Sequence, residues 1–118
     1  MNILLAEDSK DNQFLINCFL EQVGAHVDIV DDGRKALNLA YKNKYDLILL
    51  DIQMPEMDGY EAVSELRRTG YQGAVVAITA HALKEDREYC LQVGFDNHVT
   101  KPIQRELLIE EVHSYFRH

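Results

Sequence analysis

Short, densely apolar runs alternate along this chain with longer stretches whose apolar positions recur at helical spacing. The runs are Ile3 to Ala6, His26 to Val30, Leu47 to Leu50, Ala74 to Ile78 and a weaker Asn97 to Thr100. At least three are continuously apolar rather than alternating, which is the pattern of strands buried on both faces of a parallel sheet. The stretches between them are long enough for crossover helices. Lys10 to Val23 ends at Gly24, a C-cap glycine. Asp32 to Lys42 opens acidic and closes on Lys42 and Lys44, the charge order that the helix dipole favours. Gly59 to Arg68 ends near Gly70, and Leu83 to Val93 ends at Gly94. A last helix follows Pro102, with Ile103, Leu107, Leu108, Glu111 and Val112 near helical spacing.

Five strands alternating with five helices predict an α/β fold with right-handed crossovers. Strand count and size favour a flavodoxin-like doubly wound five-stranded parallel sheet, order 2-1-3-4-5, over a fragment of a barrel. The 118 residues, with no Pro/Gly/Ser-rich linker or internal repeat, predict one domain over 1–118. Twelve basic residues against twenty acidic give a net charge of −8, which argues against direct contact with nucleic acid or an anionic membrane surface. No apolar run reaches the roughly 18 residues of a spanning helix, and the start lacks a signal peptide's basic segment. Two unpatterned thiols, Cys18 and Cys90, fit a reducing cytoplasm. A start leading directly into the first run suits either a free-standing protein or a domain of a longer one.

Polar residues stand at the carboxyl end of each central run: Glu7 and Asp8 after the first, Asp51 after the third, Thr79 after the fourth and Lys101 just past the fifth. Open parallel sheets bind ligands outside those ends, so the five are expected to converge. Three carboxylates in a partly dry crevice repel by an energy on the order of several kcal/mol. One lysine leaves a net −2 that a divalent ion would balance. All-oxygen ligands point to Mg²⁺ or Mn²⁺ and away from zinc. A metal, a lysine and a hydroxyl around one carboxylate equip that carboxylate to attack a phosphoryl group. Asp51, at a strand end, is the best placed nucleophile.

These residues lie in motifs with a family likeness. ILLAEDS, LILLDIQMPEMDGYE, AITAH and VTKPI, in that order and spacing, resemble the receiver domain of two-component response regulators nearly end to end. The resemblance implies that Asp51 is phosphorylated, that Glu7, Asp8, Asp51 and the Gln53 carbonyl hold the metal, and that Thr79 and Lys101 contact the phosphoryl group. It further implies a cis peptide before Pro102, and Gln53 and His81 as flanking side chains that tune the phosphoryl lifetime. The phosphodonor histidine belongs to a partner, a histidine kinase or histidine phosphotransfer domain. The face around the fourth helix, fifth strand and fifth helix would respond, in a monomer or a weak homodimer. The stretch from Thr79 to Ile103 is most similar to receivers of hybrid sensor histidine kinases. One departure stands at His98, where the family often has Tyr or Phe as an aromatic read-out; an ordinary loop histidine is the competing reading. His113 and His118 read as surface residues, and Cys18 and Cys90 as small hydrophobes.

The first helix is apolar almost all round in FLINCFL. At 100° per residue, Leu15, Ile16, Phe19 and Val23 form the face expected to pack on the sheet. Phe14 then points away, with Cys18 one turn along: either a scattered exposed pair or, where the resemblance also places it, a docking patch for a helical histidine phosphotransfer or dimerisation domain.

Three rivals remain. A Mg²⁺-dependent phosphatase resembling the haloacid dehalogenases wants an acid two residues after the nucleophile, where this chain has Gln53. A flavin or nucleotide binder wants a glycine-rich loop where EDSKDNQ is acidic. A degenerate receiver used purely for docking would not need every site position filled. The expected activity is therefore that of a phosphoacceptor rather than an enzyme, with slow self-dephosphorylation at most.

Overall fold

The computed structural model describes residues 1–81 and 83–116; His118 lies outside them. Five strands and five helices alternate strictly: β1 (Asn2–Ala6), α1 (Lys10–Glu21), β2 (His26–Val30), α2 (Gly33–Lys42), β3 (Leu47–Asp51), α3 (Gly59–Arg68), β4 (Val75–Thr79), α4 (Lys84–Val93), β5 (Asn97–Thr100) and α5 (Arg105–Ser114). All strand pairs are parallel, and the sheet order is β2-β1-β3-β4-β5. This is the flavodoxin-like doubly wound arrangement expected from the apolar pattern.

The three central strands are buried on both faces, which is why they read as unbroken apolar runs. Alternate residues feed two separate cores. Leu4, Ile48, Leu50, Val75 and Ala77 pack with Leu37, Val63, Leu66 and Phe95 on one side. Ile3, Leu5, Leu47, Leu49, Val76 and Ile78 pack with Ile16, Leu20, Leu108 and Val112 on the other. Helix starts are set by side-chain caps: Ser9 accepts from the Asn12 N–H, Asp32 from Lys35 and Asp58 from Glu61. Asp32 is thus the cap rather than the first helical residue. Leu83 likewise precedes α4 and makes no side-chain cap bond.

The expected buried face of α1 needs correction. Ile16 and Leu20 are fully buried, Phe19 packs at the margin, and Leu15 is 37% exposed. The seam follows the i, i+4 pair Ile16–Leu20, so Leu15 joins Phe14 on the open side. Phe14 is 73% exposed and Cys18 is half-buried. Two smaller differences accompany it. His98 is a strand residue inside β5, not a loop histidine, and His113 is half-buried rather than fully on the surface. Cys90 is buried, and burial pushes its thiol pKa up, as for an inert hydrophobe.

Candidate functional site

β1, β3, β4 and β5 all run in one direction, so their carboxyl ends deliver side chains to one rim of the sheet. The register places Ala6 beside Leu50, Asp51 beside Ile78 and Thr79 beside Thr100. Glu7, Asp51, Thr79 and Lys101, dispersed over 95 residues of sequence, are thereby neighbours in space. Two of them, Asp51 and Lys101, meet directly: the ammonium donates to Asp51 Oδ2 at 2.6 Å and lies 3.5 Å from Glu7 Oε1. Burial disfavours the Lys101 charge, yet the hydrogen bond and charge of Asp51, with Glu7 adding to them, outweigh it and raise its pKa.

The acidic group is assembled as the sequence suggested. Carboxylate oxygens of Glu7, Asp8 and Asp51 lie within 4.8 Å of one another. Glu7 and Asp51 are buried and Asp8 is exposed, so the cluster is open on one side. Burial is the main cause that lifts the Glu7 carboxyl to about 7; the Ser9 N–H at Oε2 opposes it, and Asp51 reinforces it. The other oxygen, Oε1, is buried without a hydrogen-bond partner. A buried carboxylate oxygen with no hydrogen bond and only the Lys101 ammonium at 3.5 Å, a carboxylate forced towards protonation and an acid open to solvent make a donor set that fits a small hard divalent cation.

Around this group the chain fixes both sides of Asp51. The Gln53 N–H donates to Asp51 Oδ1 at 2.9 Å. Gly59 packs so closely that a Cβ there would lie 2.6 Å from the Asp51 carbonyl oxygen, so no larger residue fits without moving the strand end. The Thr79 hydroxyl is buried and accepts from the His81 N–H at 3.0 Å. Lys101 is tied in through its own N–H to the Thr79 carbonyl at 2.7 Å, and the Lys101–Pro102 peptide is cis. Asp8 and Gln53 line one cleft of about 560 Å³ with Pro55, Asp58 and Tyr60. The Gln53 and His81 side chains are both exposed. His98 sits on the edge strand β5, two strands from the β3 strand that carries Asp51, half-buried, with Nδ1 buried and without a hydrogen-bond partner. Burial, then Arg87, lowers its pKa, against Asp86 and Glu111. Phe14 and Cys18 lie on α1 and are not part of this assembly.

Two contributors escaped the sequence. Ser9 holds Glu7 Oε2, and the Gln13 amide donates to the Glu7 carbonyl at 2.5 Å. Both are local to the acidic pair, but only Ser9 carries a readable signal, as a helix cap.

The arrangement defines a class: an acidic group able to hold a divalent cation around one strand-end aspartate, with a lysine and a hydroxyl at the same rim, a set suited to forming and holding an aspartyl phosphate. Residues 3–113 match the response regulator receiver domain family, and the chain belongs to it: it is a receiver domain, a phosphoacceptor signalling module. It is 40% identical to "Hybrid signal transduction histidine kinase I" of Dictyostelium discoideum over 95% of its length, which is 7% of that protein. It spans 12% of histidine kinases from rice and from Pseudomonas protegens. The receiver domain of a Pseudomonas aeruginosa sensor histidine kinase, solved with a magnesium ion coordinated in its active site cleft, is 39% identical, with a TM-score of 0.88 over 97% of this chain and 95% of that one. The Saccharomyces cerevisiae complex of the histidine phosphotransfer protein Ypd1 with the Ssk1 receiver domain matches at 25% identity and a TM-score of 0.91, over 98% and 88% of the two chains.

Mg²⁺ is expected to stabilise the fold by relieving the crowded acids. At a hundredfold excess over its dissociation constant the gain is about 2.7 kcal/mol. For a chain of this size that raises Tm by roughly 10 °C. Thermal melts with and without Mg²⁺ measure this, and Asp8→Ala should abolish most of the shift.

Proposed function

We propose that this receiver accepts a phosphoryl group from a partner's phosphohistidine onto Asp51. The observation that carries the reading is the Asp51 carboxylate, buried, held by Lys101 and Gln53, and grouped with Glu7 and Asp8. Glu7, Asp8, Asp51 and the Gln53 carbonyl would hold a Mg²⁺ ion, which would supply positive charge against the oxygens of the transferring phosphoryl group. An Asp51 oxygen attacks phosphorus, the O–P bond forms as the P–N bond to the donor imidazole breaks, and the histidine leaves. Lys101 shifts its contact from the carboxylate to a phosphoryl oxygen, and the Thr79 hydroxyl donates to another. The exposed Gln53 and His81 side chains flank the mouth, where they govern access of the water that slowly hydrolyses the product. The same movement of Thr79 and Lys101 shifts the population of the face formed by α4, β5 and α5.

Two particulars support the partner assignment. The Ypd1–Ssk1 complex pairs a histidine phosphotransfer protein with a receiver of this fold. Phe14 and Leu15 expose an apolar patch on α1, and a helical partner could bury it. Localisation in the cytoplasm fits a module without a membrane-spanning helix among the described residues.

Intact-mass spectrometry after incubation with acetyl phosphate and Mg²⁺ tests the reading. One phosphoryl addition is expected, released by hydroxylamine and absent with EDTA. No addition from acetyl phosphate or from a phosphorylated histidine phosphotransfer domain would overturn it. Phe14→Glu separates docking from chemistry. It should slow transfer from that domain roughly tenfold or more, because a charge replaces an exposed apolar anchor that the complex would bury, and leave labelling by acetyl phosphate unchanged. Equal rates for wild type and variant in both assays would remove α1 from the docking surface.

A further inference from the structure

A second concavity, about 430 Å³, opens on the other side of Lys101, between the edge strand β5 and α5. Its walls include His98, Val99, Leu107, Glu110 and Glu111. No strand covers the outer side of β5 among the described residues, and Leu107 is 56% exposed at the cleft's rim. We propose that this cleft seats a basic segment of a partner protein, with one arginine or lysine against Glu110 and Glu111 and an apolar neighbour on Leu107.

The charges decide the chemistry of the occupant. Glu110 and Glu111 make no ion pair among the described residues. Glu111 accepts from the Asn97 amide at 2.7 Å, which fixes its position without neutralising it. The one lysine in the lining, Lys101, is committed to Asp51 and Glu7. His98 adds no lasting positive charge, because burial disfavours its protonated form. The cleft therefore offers acceptors and an apolar shelf, and the complement is a donor-rich cation beside an apolar side chain. A second copy of this chain is a poorer fit, since both would carry a net charge of −8. The wall is adaptable: His98 Nδ1 has no hydrogen bond to hold the ring in place.

The inference rests on the reading of α4, β5 and α5 as the responding face, because the cleft wall is the segment that ends at Lys101. The probe is the peptide acetyl-Leu-Arg-Leu-Arg-Leu-amide, with the glutamate-for-arginine version as its counterpart. Both are titrated by amide NMR at about 0.15 M salt, where long-range attraction is screened, with saturating Mg²⁺ on the acidic cluster. The arginine peptide should shift the amides of His98, Leu107, Glu110 and Glu111, and the glutamate peptide should not. Glu110→Lys and Leu107→Asp, both at exposed positions that leave the core intact, should each weaken binding about tenfold. Glu61→Lys, the same charge change on α3, should not. Shifts centred elsewhere, equal weakening by Glu61→Lys, or concentration-dependent dimerisation through these residues would overturn the proposal. A parallel acetyl phosphate labelling of the wild type keeps the two readings apart. Labelling without peptide binding sinks the cleft alone, and peptide binding without labelling by either acetyl phosphate or a phosphorylated histidine phosphotransfer domain sinks the phosphoacceptor reading alone.

Discussion

Asp51→Asn is expected to take up no phosphoryl group from acetyl phosphate or from a phosphohistidine partner, under conditions where the wild type gains one. The reason is that no neighbour can take over. Glu7 has no accessible surface, and one of its oxygens is engaged by the Ser9 N–H. Asp8 is exposed but lacks the lysine: among the carboxylates of the described residues, the Lys101 ammonium is within 4 Å of Asp51 and Glu7 only. The amide keeps the size of the carboxylate, and its oxygen can still accept from the Gln53 N–H. The fold therefore survives, and loss of labelling reads on chemistry. The amide nitrogen, however, would face the Lys101 ammonium as a second donor, so the ion pair at 2.6 Å is lost. With one anionic ligand gone, Mg²⁺ affinity should fall by about tenfold or more, because hard cations are held by carboxylate charge. Intact mass and a Mg²⁺ titration followed by melting temperature measure the two effects. Persistent labelling of the variant would move the acceptor away from Asp51.

Legibility in the sequence followed the range of the interactions. The central strands were plain because burial on both faces leaves no polar alternation to blur them, as in Leu47–Leu50. Glu7, Asp8, Asp51, Thr79 and Lys101 were legible because a parallel sheet converts position at a strand end into position at one rim, whatever the loop lengths. Their convergence needed only the strand order. The orientation of α1 was harder. FLINCFL is apolar in nearly every direction, so several faces satisfy the helical period, and only the packing against the sheet chose Ile16 and Leu20 over Leu15. His98 was ambiguous for a related reason: β5 is short and half-buried, and its run Asn97-His98-Val99-Thr100 carries little apolar signal. The β5–α5 cleft had no signature at all. It arises from two helical glutamates facing an edge strand, and Glu110 and Glu111 read in isolation as a solvated helix face.

Arg67 was the least legible residue of consequence, and it supports the second large prediction. In sequence it is a basic residue in the last turn of a helix, a placement that the dipole alone explains. In the structure its guanidinium ties three segments together. Nε donates to the Gly94 carbonyl at 2.9 Å, one terminal nitrogen to the carbonyls of Tyr71 and Gly73 at 2.8 and 2.9 Å, and the other to Asp96 at 3.1 Å. Asp96 in turn accepts from the Val75 N–H, at the start of β4. The clamp thus fixes the entries of β4 and β5, whose far ends carry Thr79 and Lys101. Arg67→Ala leaves three carbonyls without this donor and Asp96 with only the Val75 N–H. Because the side chain is 25% exposed, water recovers part of the loss. The expected cost is about 3 kcal/mol, or a fall in Tm of roughly 10 °C. Arg67→Lys should recover little, since one ammonium cannot span the planar fork that reaches Gly94 and Gly73 together. Denaturant unfolding of the two variants checks this. A loss under about 1 kcal/mol for the alanine variant would mean that the carbonyls are satisfied by solvent and that the clamp is incidental. A lysine variant as stable as the wild type would mean that charge, not geometry, holds the junction.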